Sequence, residues 1–216
     1  MSTAHTAFLD YVLPHVPGCT NEMALLEIKN TLVDFCEKTQ IIQVDHDPIG
    51  TIANIQDYDL EPPTGYLVVK ILKAWFKGVE LAGQGIDEIK SPSQFNQNSG
   101  YVVDKGDPRY IYQKDARSFS VYPIPNTSES QSLTLRVALK PTRSATTIDN
   151  FIFEEYAETI GHGVITRLAL SPGKPYSNPS LAAARNGLYL AGVNVARDRA
   201  LKGYVRTSKH VKMRRI

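Results

Sequence analysis

The sequence predicts an α+β protein in which helices at both ends of the chain enclose a β-rich middle. Three observations support this prediction. Apolar residues recur at helical spacing in residues 1–40 and again in residues 147–205. Between them, short runs in which apolar and polar residues alternate are separated by Pro, Gly and Asp clusters. We therefore expect a helical bundle formed by the two outer segments, with residues 41–146 inserted as an antiparallel β sandwich or barrel.

The N-terminal segment predicts two helices. Phe8, Val12 and Leu13 lie on one face of a short helix that stops at Pro14. After the Pro17-Gly18 turn, Thr20 or Asn21 caps a second helix. The apolar face of this second helix is predicted from four residues at helical spacing, Leu25, Ile28, Leu32 and Phe35.

The middle segment predicts several strands. The strongest is residues 66–76, and residues 110–112, 118–122 and 133–138 are expected to be others. Residues 86–89 could form one helical turn before a loop at residues 91–100 that is rich in Asn, Gln and Ser.

The C-terminal segment predicts two more helices. Asp149 caps the first, whose apolar face is formed by Ile152, Tyr156, Ile160, Val164 and Leu168. Gly161 and Gly163 weaken this helix, and close approach of another backbone is one reason to tolerate them. Asn178 and Pro179 then begin the last helix, which continues through Leu181, Ala184, Leu188, Ala191 and Val195.

Charge is distributed unevenly along the chain. Residues 197–216 carry eight basic residues and one acidic residue, a net charge of +7. The preceding 196 residues carry sixteen basic and twenty-one acidic residues, a net charge of −5. Residues 206–216 therefore form a basic tail, and three interpretations stay open: a solvated terminus, non-specific binding of nucleic acid phosphates, or docking into a protein groove.

No complete catalytic or metal-binding motif is present. Asp45, His46 and Asp47 resemble a metal cluster, but strand geometry would direct His46 away from both carboxylates. Glu158 and His162 are four residues apart and predict a local helix pair or a contact between subunits. Cys19 and Cys36 are too far apart along the second helix to pair. We expect no enzyme activity, no cofactor and no metal.

The chain also lacks the features of a membrane or secreted protein. No stretch approaches the length of a membrane span, which is about 20 apolar residues. Residues 1–10 do not resemble a signal peptide. We expect synthesis in a cytoplasm and no membrane partner.

Several short motifs, in their order and spacing, resemble a known family. They are residues 8–19 (Phe-Leu-x-x-Val-Leu-Pro-x-Val-Pro-Gly-Cys), 35–39, 161–168 (Gly-His-Gly-x-x-x-Arg-Leu), 172–176 and 178–179. This pattern is similar to that of the head-to-tail adaptor proteins of tailed phages. The motifs cover both helical segments, and the β insert matches in position and style alone.

The resemblance implies a structural subunit of the virion at the head–tail junction. Its expected partners are other copies in a ring of about twelve, the portal protein, a tail or nozzle protein, and genomic DNA passing through the lumen. The family's C-terminal segments commonly reach into the portal. The resemblance therefore implies portal docking by the tail residues Arg206, Lys209, Val211, Lys212, Met213, Arg214, Arg215 and Ile216. A tail-tube or tail-completion protein and a non-specific DNA-binding protein are the alternatives.

Overall fold

The computed structural model describes residues 2–85 and 105–203, which contain four α-helices and ten strands. The α+β class is confirmed. The chain divides into two compact units. The helical unit comprises the segment up to Ile41 and the segment from Thr147 onward, and the β unit comprises Ile42–Thr146. The predicted features at residues 86–89 and 91–100 lie outside the described residues.

The helices are α1 (Leu9–Val12), α2 (Asn21–Thr39), α3 (Asn150–Ala169) and α4 (Pro179–Lys202). Helices α2, α3 and α4 begin where the sequence predicts, but the side chain of Asp149 makes no capping hydrogen bond at the start of α3, so that predicted cap is wrong. The Thr20 hydroxyl accepts a hydrogen bond from a backbone N–H in the first turn of α2. The Asn178 side chain likewise accepts from Leu181 N at 3.0 Å, so it caps α4 as predicted. Short 3₁₀ turns at His5–Phe8 and Leu13–His15 flank α1.

The predicted apolar faces of α2 and α3 form the core of the helical unit. Ile28, Leu32 and Phe35 are buried and Leu25 is half-buried, whereas all five residues predicted for the α3 face are buried. The ring centroids of Phe35 and Tyr156 lie 5.3 Å apart between these two helices. Helices α2, α3 and α4 contact one another, so the two ends of the chain share a single core.

A two-stranded sheet that the sequence did not predict also joins the ends of the chain. Strand β1 (Ser2–Ala4) pairs antiparallel with β10 (Thr147–Asp149), with Ser2 opposite Asp149. Because β10 leads directly into α3, this pairing holds the N-terminal segment against the start of that helix.

The buried side of α4 differs from the set of residues whose spacing predicted the helix. Ala182, Tyr189, Val193 and Ala196 are buried. Leu188 and Val195 are instead 52% and 61% exposed, and Ala184 and Ala191 are also exposed. The helix is confirmed, but its most regular apolar stripe faces away from the core of its own unit.

The β unit contains two four-stranded sheets. One has the order β2-β9-β4-β5 and is antiparallel throughout. The other has the order β3-β8-β7-β6, in which β6 runs parallel to β7. The strands are β2 (Ile42–Thr51), β3 (Asp57–Asp59), β4 (Tyr66–Phe76), β5 (Val79–Glu80), β6 (Ala82–Gly83), β7 (Tyr110–Gln113), β8 (Ser118–Tyr122) and β9 (Glu129–Pro141).

The four predicted strands are present as β4, β7, β8 and β9, and the bounds of β4 and β8 match the prediction. Central strand β9 supplies three of the buried side chains of its sheet, Leu133, Leu135 and Val137. Within residues 2–85 and 105–203, no helix has the length and apolarity that a membrane span requires.

Candidate interaction surfaces

The C-terminal end of α4 is basic and anchored to α3. Arg199 forms an ion pair with Glu155, and its Nη1 lies 3.3 Å from Tyr156 Oη. Lys202 Nζ lies 2.5 Å from Asp198 Oδ2. Gly203 follows with a positive φ of 65°, a backbone conformation that favours glycine. The last turn of α4 therefore carries two basic side chains, each in an ion pair, and ends shortly before the basic tail.

The predicted docking residues all lie beyond this point. Arg206, Lys209, Val211, Lys212, Met213, Arg214, Arg215 and Ile216 fall outside the described residues. Their assignment to a portal site stays a prediction.

A polar cluster joins the middle of α4 to α2. Tyr189 Oη donates a hydrogen bond of 2.6 Å to Asp34 Oδ2, and Lys38 Nζ lies 2.8 Å from the same oxygen. Arg167 of α3 approaches this oxygen to 3.9 Å. Burial opposes ionisation of Asp34, but the hydrogen bonds from Lys38 and Tyr189 and the two nearby cations lower its pKa. Burial, followed by the bond to Asp34, raises the pKa of Tyr189.

Glycines allow the helices to approach closely. A Cβ added at Gly163 would lie 2.7 Å from Thr31 Cγ2 and 2.9 Å from the ring of Tyr189. A Cβ at Gly161 would lie 3.1 Å from Tyr11 Cβ and 3.4 Å from its carbonyl oxygen. The predicted reason, close approach of another backbone, applies at Gly161, which lies close to the backbone of Tyr11, whereas the close neighbours of Gly163 are the side chains of Thr31 and Tyr189.

His162 belongs to a small polar group on the surface of the helical unit. Its Nε2 lies 3.7 Å from Glu158 Oε1, which confirms the predicted helix pair. Arg185 lies close to two histidines, with Nη1 3.3 Å from His162 Nδ1 and Nη2 3.4 Å from His15 Nδ1. Burial and then the Arg185 charge lower the pKa of His162, although Glu158 opposes this shift. The lowered pKa favours the neutral form of His162, and in the tautomer that leaves Nδ1 unprotonated this atom can accept a hydrogen bond from Arg185 of α4.

The Asp45, His46 and Asp47 run has a structural explanation. Asp45 binds Arg136 on the neighbouring strand, with Oδ1 2.7 Å from Nε. His46 Nδ1 lies 2.7 Å from the carbonyl oxygen of Asp47, and its Nε2 accepts from Glu61 N at 3.2 Å. Among the described residues, no group of three or more His, Cys, Asp or Glu side chains is placed to hold a metal ion.

Both cysteines are free thiols. Cys36 is fully buried, and burial raises its pKa. Cys19 is half-buried before α2, where burial also raises its pKa. Neither thiol has the lowered pKa that a reactive cysteine needs.

The sequence did not reveal two features that define these surfaces. The Tyr189–Asp34 bond joins residues 155 positions apart, and no local spacing encodes such a pairing. The outward orientation of Leu188 and Val195 was also missed, because apolar periodicity is the same for a face covered by its own chain and for one left exposed.

Comparison with known proteins gives one family. The family model described as SU10 adaptor protein matches residues 21–209, which include α2, the β unit, α3 and α4. No curated protein shows significant similarity to the chain.

Proposed function

The chain belongs to the SU10 adaptor protein family, a family of phage head-to-tail adaptors, and from this premise we propose that it is a subunit of a connector ring. Membership implies a structural location in the virion at the head–tail junction. The proposed ring contains about twelve copies bound beneath the portal protein, and its far side receives a tail or nozzle protein. Genomic DNA would pass through its lumen.

The charge distribution supports this arrangement. Residues 1–196 carry a net charge of −5. A negative body around a channel repels the DNA phosphates, so the DNA can slide without being held. Residues 197–216, with their net charge of +7, would then bind a partner other than the DNA.

We propose no catalytic step, cofactor or metal for this protein. In this proposal it acts through the surfaces by which it binds other virion proteins. In this proposal the helical unit provides ring and portal contacts, and the two sheets of the β unit pack as the inserted sandwich that the sequence predicts.

The single observation that carries the portal contact is the basic end of α4, which leads into the tail. In the proposal, the tail cations contact carboxylates and carbonyl oxygens of the portal; they are Arg206, Lys209, Lys212, Arg214 and Arg215. The apolar tail residues pack between these contacts; they are Val211, Met213 and Ile216. One exposed ion pair contributes about 0–1 kcal/mol. A ring presents the tail many times, so weak single contacts add up to a tight joint.

Deletion of residues 206–216 tests this contact. We expect the truncated protein to lose at least tenfold in affinity for the portal protein, measured by biolayer interferometry with immobilised portal. A matched control replaces the five tail cations with Gln and keeps the apolar residues. The control should lose less affinity for the portal protein than the truncated protein does, because the apolar contacts of the tail remain.

Non-specific DNA binding by the tail is the second candidate, and the same +7 end favours it. That function predicts affinity for duplex DNA that falls steeply with salt. If the truncated chain binds portal normally but no longer binds DNA, the portal assignment is wrong and the DNA-binding function replaces it. A tail-tube or tail-completion role instead predicts binding to tail protein without binding to portal.

A further inference from the structure

The N-terminal segment of the helical unit, residues 2–16, contains a buried histidine near its start. His5 is 3% exposed and lies in the 3₁₀ turn that follows β1. Neither ring nitrogen of His5 has a hydrogen-bond partner. Buried polar groups are normally hydrogen-bonded, and a positive charge on such a ring would be costly to bury. The packing of this segment therefore favours a neutral His5.

The surroundings of His5 also oppose a positive charge on its ring. Burial, followed by the charge of Lys29 on α2, lowers the pKa of His5 from 6.5 to about 4. The backbone of Thr147 in β10 acts in the opposite direction, but its position is not that of a hydrogen bond. Among the described residues, no carboxylate of α1, α2, α3 or β10 offsets the charge of Lys29 at this ring.

The other end of the segment makes a second contact that depends on a neutral imidazole. His15 Nδ1 lies 3.4 Å from the Arg185 guanidinium of α4, beside the 3.3 Å contact of Arg185 with His162 Nδ1. A protonated imidazole has two donors and no acceptor, so protonation of His15 removes this contact and places a cation beside Arg185. Glu158 lies 3.7 Å from His162 and partly compensates a charge on that second ring.

We propose that protonation of His5 loosens the N-terminal segment, so that residues 2–16 separate from the rest of the helical unit more often in acid than at neutral pH. This conformational device goes beyond the proposed function and does not depend on it. In the docked state the segment packs as described. In the open state its pairing with β10 is broken and His5 reaches water.

Apolar side chains limit how far acid acts. Phe8, Val12 and Val16 of the segment are almost fully buried, so protonation increases how often the segment opens without releasing it permanently. Each opening uncovers the backbone edge of β10 and the surface of α3 at Gly161, which Tyr11 covers in the docked state.

The docked and open states bind protons differently. The solvated ring of the open state has the ordinary pKa of 6.5, whereas the docked ring has a pKa of about 4. The open state therefore binds the proton more tightly, and opening becomes more favourable as the pH falls through 6.5 towards 4. Between pH 7.5 and pH 5.0 this difference raises the equilibrium constant for opening about 25-fold.

Hydrogen–deuterium exchange of the full chain, followed by mass spectrometry at pH 7.5, 6.0 and 5.0, tests this inference. Dividing each measured exchange rate by the intrinsic rate at the same pH gives an opening constant for each peptide. His5→Leu removes the titrating ring but keeps an apolar side chain, and Lys29→Met removes the nearby charge. His46→Gln is the matched control, because it removes a histidine of the β unit.

We expect the opening constants of residues 2–16 and 147–149 to rise together, about 25-fold from pH 7.5 to pH 5.0, in wild type and in His46→Gln. The rise should be smaller in Lys29→Met and at least fivefold smaller in His5→Leu. An equal rise in His5→Leu and in wild type would refute the role of His5. An equal rise in the peptides of α2 would show that acid unfolds the whole helical unit, which also overturns the proposal.

A titration of the imidazole proton signals of wild type by nuclear magnetic resonance keeps the inference testable if His5→Leu does not fold. We expect the His5 signals to titrate with a midpoint near pH 4. A midpoint near the ordinary value of 6.5 would contradict the proposal, because the docked and open states would then bind protons equally.

Discussion

Gly163→Ala tests whether the three-helix core is packed as closely as the structure shows. The added methyl group would lie 2.7 Å from Thr31 Cγ2 and 2.9 Å from two ring carbons of Tyr189. Thr31 is fully buried and Tyr189 is 95% buried, and Tyr189 is also held by its bond to Asp34. Neither side chain can move away without disturbing the core.

Two opposing effects determine how much Gly163→Ala changes the free energy of unfolding. Replacing glycine by alanine inside a helix contributes about 1 kcal/mol of stability. Overpacking a core costs about 1–3 kcal/mol. Because the methyl group meets α2 and α4 at once, we expect the upper part of this range and a net loss of about 1–2 kcal/mol for Gly163→Ala.

Gly187→Ala is the matched control, because it lies inside α4 and an added Cβ would meet nothing within 4 Å. We expect this control to gain up to about 1 kcal/mol. The assay is urea unfolding followed by circular dichroism at the helical band, with fluorescence of the single tryptophan, Trp75 in β4, reporting the β unit separately. If Gly163→Ala stabilises the helical unit as much as Gly187→Ala does, the close packing described here is wrong.

The remaining predictions concern the polar contacts and the cap. Tyr189→Phe removes the bond to Asp34, and we expect a loss of about 1.5–3 kcal/mol at neutral pH in urea unfolding. Because the folded pKa of Asp34 lies below its ordinary 3.8, this contribution is present above that pH and disappears as the pH falls through the folded value. Wild type and Tyr189→Phe should thus converge in acid, and a constant difference down to pH 2 would contradict the assignment. Asn178→Ala removes the cap of α4 and should cost about 1 kcal/mol by the same assay, whereas Ser180→Ala, inside the first turn, should change stability by less than about 0.5 kcal/mol.

The sequence predicted those helices and strands whose capping residues and apolar spacing lie within the element itself. The apolar-rich run of β4, which Lys70 and Lys73 interrupt, the capping residues Thr20 and Asn178, and most of the buried faces of α2 and α3 could be identified from local sequence. Strand β2 (Ile42–Thr51) was missed, because it contains Asp45, Asp47, Pro48 and Gly50. Its place at the edge of the sheet explains this composition, since proline in a sheet is confined to edges and bulges.

The surfaces were harder to predict than the elements. Tyr189 interrupts the apolar pattern of α4 with a polar group, yet it is buried because Asp34 satisfies its hydroxyl. The regular stripe that includes Leu188 and Val195 has the periodicity of a core face, although its own unit leaves it exposed. Sequence periodicity identifies an apolar helix face, but it does not identify which surface packs against that face.

Electron microscopy of this chain mixed with its portal protein tests the central claim most directly. We predict portal particles that carry an added ring of twelve subunits on one face, with density for residues 206–216 against the portal. Bare portal particles beside unbound chain, at concentrations where the chain is in excess, would contradict the assignment of this protein as the subunit that joins portal to tail.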